Sequence, residues 1–134
     1  MESNRQGKDR SNRSHVKKVL LPLHGNHVAP RFDLATEVLI AIGHSFATEW
    51  EEKIVVLSQS SSEQICQLVF SERIDAVIVS GIEDEHYQYL TWKRVEVFDS
   101  VIGPWESALL RYFSGDLKSG DILFPKDDPH MTLL

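Results

Sequence analysis

Three short apolar runs joined by polar links, followed by a switch to helical periodicity, limit what this chain can fold into. The runs are Lys17–Leu23, Thr36–Ile42 and Lys53–Ser58, the last containing Ile54-Val-Val-Leu57. Each is brief, rich in leucine or β-branched side chains, and bounded by polar or glycine residues, the pattern of buried strands. Links of about ten residues leave no room for a usual helical crossover, so these strands are expected to pair antiparallel.

After the third run the period changes. Ser60-Ser-Ser-Glu63 reads as a capping box, with a serine oxygen and the glutamate satisfying amides left open at a helix start. The helix carries Ile65, Leu68, Val69 and Glu72, with Cys66 and Phe70 alongside. Asp75–Ser80 follows as a fourth strand, Glu83–Arg94 as a second helix and Val95–Phe98 as a fifth strand. Pro104 suits the first turn of a third helix that runs to Phe113 and closes at Gly115. The order β-β-β-α-β-α-β-α predicts an α/β fold with a mixed five-stranded sheet, order 3-2-1-4-5, flanked by helices. Strands that follow helical crossovers pair in parallel. This is the arrangement of the ribonuclease H-like motif, and it does not by itself fix function.

At 134 residues the chain has length for one core, which we place at residues 16–124. Residues 1–15 read as a disordered basic tail and 125–134 as a loose C-terminal tail. A net charge of −6 argues against nucleic-acid binding by the body of the domain. The cations Arg5, Lys8, Arg10, Arg13, Lys17 and Lys18 gather at the N-terminus against Glu2 and Asp9. One cysteine, Cys66, excludes an internal disulfide and any multi-cysteine metal motif. No segment has the length of apolar sequence a membrane span needs, and no secretory signal opens the chain, so a cytoplasmic protein with no membrane partner is expected.

Polar chemistry concentrates in the loop after the first strand, His24-Gly-Asn-His-Val-Ala-Pro-Arg-Phe-Asp33. In the proposed sheet the first strand borders the fourth, so this loop faces the Ser80-Gly81 turn across a crevice where α/β folds bind ligands. His86 lies in the first turn or so of the helix beyond. His24, His27 and His86 are therefore candidate metal ligands, because neutral imidazole is the common metal donor near neutral pH. The structural alternative is that they are solvated surface groups. Arg31 offers a planar fork for a carboxylate, a phosphate or an anionic cluster, or else pairs with Asp33 or a carboxylate at 83–85. Ser80 and Gly81 could present amides to an anion, or serve as turn residues. Phe32 is expected to plug the loop into the core.

Catalysis finds no support. Two-metal hydrolysis needs carboxylates on the central strand, and Val19-Leu-Leu-Pro-Leu23 has none. There is no nucleophile elbow, Walker loop or dinucleotide fingerprint either.

On the opening strand, Val28-Ala-Pro-Arg-Phe-Asp-Leu-Ala35, Asp75-Ala-Val-Ile-Val-Ser-Gly-Ile82 and the helix start at Ile102–Leu110, the chain resembles the dinitrogenase iron–molybdenum cofactor biosynthesis family. That family comprises the NifX and NafY-like carriers and the C-terminal domain of NifB, and the likeness spans Lys17 to Leu123. Its first-loop motif commonly reads valine, two variable positions, then His-Phe-Gly. Val28 and Phe32 match, while Arg31 stands in place of the histidine and Asp33 in place of the glycine. The resemblance implies a divergent, non-enzymatic carrier, within or outside nitrogen fixation. Its ligand would be an iron–sulfur or iron–molybdenum type cluster, and its partner a cluster-assembly protein. The other reading is a regulatory or protein-interaction domain with no small ligand. An edge strand and several aromatics leave room for a homodimer.

Overall fold

The computed structural model describes residues 16–125, so the two predicted tails lie outside the described residues save for Pro125. Strand β1 (Val16–His24) forms the middle of the sheet because it is apolar on both sides. Leu20 enters one core, while Val19, Leu21 and Leu23 enter the other. Burial on both faces explains why it reads as a continuous apolar run rather than an alternating one.

A two-residue turn at Gly25-Asn26 reverses the chain into a short strand, β2 (His27–Val28), paired antiparallel to the end of β1. A single 3-10 turn, Phe32–Leu34, leads to β3 (Glu37–His44) and then β4 (Glu51–Val56). Both are antiparallel to their neighbours, from Leu23↔Glu37 and Glu37↔Val56 onward. Helix α1 (Ser62–Ser71), β5 (Ala76–Ile78), α2 (Asp84–Trp92), β6 (Glu96–Phe98) and α3 (Trp105–Ser114) complete the chain. β5 is parallel to β1 and to β6.

The sheet order is β4-β3-β1-β5-β6, with β2 attached to β1 alone. This is the expected ribonuclease H-like order, 3-2-1-4-5, once the unforeseen β2 is set aside. Ile65, Cys66 and Val69 of α1 and Leu90 of α2 cover one face. Ala108, Leu109 and Phe113 of α3 cover the other. Among the described residues no helix is long and apolar enough to cross a membrane.

Element boundaries differ from the expected ones by one to two residues in several places, and two of these differences have a plain physical reason. β4 begins two residues before the predicted run because Glu51 and Glu52 pair with Ile42 and Ala41 at an open edge, where charge is tolerated. The first helix is capped by Ser61, not Ser60: Ser61 Oγ accepts the Gln64 N–H at 3.2 Å. In a row of serines, composition alone does not select the one that caps.

Candidate ligand site

The loop after β1 is built as a partial strand. The Ala29 N–H donates to Pro22 O at 2.8 Å, and the Val28 N–H donates to Gly103 O at 2.9 Å. On the other side Arg31 bridges to Gly81: the Phe32 N–H donates to Gly81 O and the Gly81 N–H to Pro30 O, both at 2.8 Å. The segments expected to face each other do meet, but backbone pairing fills the crevice between them. Gly81 is needed for that approach, since a Cβ there would stand 2.7 Å from Pro30 O. Its N–H is committed to Pro30 and is not turned toward an anion. Ser80, half-buried, accepts the Ser100 N–H on its carbonyl.

The side chains divide. Phe32 is buried and seals the loop to the core, as expected. Arg31 stays exposed and grips Asp33 through two bonds, Nε to Oδ1 at 3.0 Å and Nη2 to Oδ2 at 2.6 Å. The hydrogen bond from Arg31 holds the Asp33 carboxyl below the usual carboxylate range, with His86 adding to the pull. The same bond raises Arg31 further. His86 packs against the Phe32 ring, centroids 5.9 Å apart, with Nδ1 3.8 Å from Glu83 Oε1. That Nδ1 is buried and has no hydrogen-bond partner among the described residues.

His24 and Arg31 line one depression of about 330 Å³, together with Ala29, Pro30 and Leu34. His27 lines a different one of about 430 Å³, beside Pro104, Trp105 and Glu106. The three imidazoles expected to converge therefore do not. No group of three or more His, Cys, Asp or Glu that could hold a metal ion occurs among the described residues. The paired backbone of Ala29–Phe32 lies between the two segments, with His24 and His27 in separate depressions and His86 packed on Phe32.

Sequence reasoning overlooked β2 and the neighbours it brings in. The Trp105 N–H donates to Asn26 O, and His27 bridges to Pro104. A signal was present: Gly25-Asn26 between apolar runs is a two-residue hairpin signature, and Gly25 has φ +60°.

No protein-family model matches the sequence, and no curated protein matches it either. Solved structures do match in shape. The crystal structure of PH0822 superposes with TM-score 0.67 at 14% identity, covering 76% of this chain and 93% of that one. MJ0327 from Methanocaldococcus jannaschii, provisionally described as a dinitrogenase, gives TM-score 0.58 at 19% identity, covering 75% and 91% in its crystal form. TM1290 from Thermotoga, provisionally described as a NifB protein of the DUF35 family, gives TM-score 0.58 at 19% identity, covering 77% and 92%. At such identities the shared feature is the fold.

Proposed function

We propose that this chain is a small non-enzymatic binding protein that reversibly holds an anionic cargo, a metallocluster or a related thio- or oxoanion, on the rim between His24 and Arg31. The carrying observation is that a guanidinium and an imidazole border the same depression at the carboxyl end of the central strand. Two neighbours of the same fold carry dinitrogenase or NifB names, in line with the family resemblance in the sequence, and that supports the reading.

Asp33 fixes the guanidinium plane and takes part of its charge, leaving the remaining N–H groups for cargo. A half-compensated cation on an exposed rim suits hand-over better than permanent retention. The donor set does not fit a buried, multi-ligand metal centre. It fits a cargo with sulfide or oxide ligands of its own, held by charge and one terminal imidazole. His27, in a separate depression, and His86, packed on Phe32, are secondary candidates. A carrier of this kind would work in the cytoplasm and exchange cargo with a cluster-assembly protein.

Anaerobic titration with tetrathiomolybdate, followed by its visible absorbance, tests the reading. Arg31→Ala is expected to weaken binding about tenfold, the scale of one charge-assisted hydrogen bond. His24→Ala should weaken it too, and His27→Ala should not. Wild-type affinity in Arg31→Ala and His24→Ala alike removes this site.

One observation favours a protein-interaction domain instead: Phe70, Tyr89 and Trp92 form an exposed aromatic surface under Lys93, whose Nζ lies 5.0 Å from the Trp92 ring centre. Metal-independent binding of a purified cluster-assembly protein, lost in Trp92→Ala and kept in Arg31→Ala, would support that alternative.

A further inference from the structure

The two edges of the sheet are unequal. β6 has three residues, and the chain beyond it covers its end: the Asp99 N–H donates to Ser119 Oγ, and the Gly120 N–H to Asp99 O. β4 has six residues in unbroken register with β3, with no proline or bulge. Ile54 and Val56 stand 54% and 69% exposed on it, on one face of the strand. Native sheets usually blunt such an edge. Here the blunting is confined to the first half, Glu51-Glu52-Lys53, and among the described residues no strand pairs with the outer edge of Ile54-Val55-Val56.

Ladder parity says what can pair there. The Leu57 N–H donates to Thr36 O, so Leu57, Val55 and Lys53 turn their backbone groups toward β3. The N–H and C=O groups of Glu52, Ile54 and Val56 therefore point outward. A second copy running antiparallel can bond this edge only in registers that set outward residues opposite outward residues. Centring the two-fold on Val55 puts Ile54 opposite the partner's Val56, twice by symmetry. The same register moves Glu52 opposite the partner's Ser58 and away from the partner's acids. Centring on Ile54 instead would set Glu52 against the partner's Val56, burying acid on apolar surface.

We propose that two copies of this chain associate through antiparallel β4 edges centred on Val55, joining their sheets into one. The contact is isologous, so it closes as a dimer and does not propagate. Apolar pairs across the two-fold and displaced acids favour a second copy over a foreign strand.

Sedimentation equilibrium of the full chain is expected to give twice the chain mass, and Ile54→Glu/Val56→Glu to give a monomer with unchanged circular dichroism. Both changes are at exposed positions. Cysteine scanning then reads the register. Across the two-fold, Val55 faces its equivalent as a non-hydrogen-bonded pair, with Cα atoms about 4.5 Å apart, within disulfide reach. Val55→Cys should cross-link under mild oxidation, and Ile54→Cys should cross-link far more slowly. The native Cys66 is buried and does not interfere. A monomer at every concentration, or cross-linking at Ile54→Cys but not Val55→Cys, overturns the proposal.

Discussion

Arg31 bonds a carboxylate two residues away, and that local pairing partly compensates its charge on the rim. Removing it should expose the full cation. Asp33→Asn is expected to tighten tetrathiomolybdate binding severalfold while leaving stability nearly unchanged, because an exposed ion pair contributes little. Denaturant unfolding and titration of the same preparation check both halves. Cys66 shows the opposite behaviour, a residue withdrawn from chemistry. Burial pushes its thiol up to about 11, with Glu63 adding to the rise. Because the thiolate is the reactive form, native protein at pH 8 should resist alkylation and denatured protein should react at once. At this scale the sequence disclosed residue identity better than residue company. The Arg31–Asp33 pair was one of the partnerships the sequence offered, beside a carboxylate at 83–85 or a ligand, whereas the separation of His24, His27 and His86 depends on how the backbone is paired.

Elements were readable to the extent that their residues see both water and core. β1, β3 and the three helices declare themselves through runs or periodicity. β4 was displaced because its first half is charged edge, and β2 was missed because two residues carry no period at all. What holds β2 and the following loop in place is backbone hydrogen bonding to Pro22, Gly81 and Gly103, which side-chain pattern does not encode. The clearest test is Gly81→Ala. Its Cβ would press on Pro30 O, a backbone atom, so the Arg31–Gly81 pairing must open. A loss of about 1–3 kcal/mol is expected in urea unfolding, together with hydrogen-exchange loss at the Phe32 amide. For α1, Ser61→Ala should cost about 1 kcal/mol, and Ser60→Ala close to none, which distinguishes the observed cap from its neighbour.

Across the whole molecule, Glu72 at the end of α1 ties three elements together. Its carboxylate accepts from Lys18 of β1 at 3.1 Å and from Lys53 of β4 at 3.3 Å. The hydrogen bond from Lys18, then that from Lys53, holds Glu72 below the ordinary glutamate value of 4.5. A lowered folded-state value means the stabilisation is complete above 4.5 and lost as pH falls through the lowered one. Glu72→Gln should therefore lower the melting temperature at pH 7, by the equivalent of at most about 1 kcal/mol because the groups are partly exposed. That difference should shrink steadily on acidification below the ordinary glutamate value. The sheet order was legible because short links force antiparallel neighbours and crossovers force parallel ones, a constraint that belongs to the chain as a whole.

The clamp between Pro30 and Gly81 uses no atom of the Arg31 side chain. Frame and rim are consequently independent: position 31 can change its chemistry while the chain around it keeps its path. Arg31→His should melt within a few degrees of the parent and yet, on the proposed function, trade anion attraction for metal affinity. A fold wired in this way can change the chemistry of one exposed point by a single exchange without rebuilding its frame.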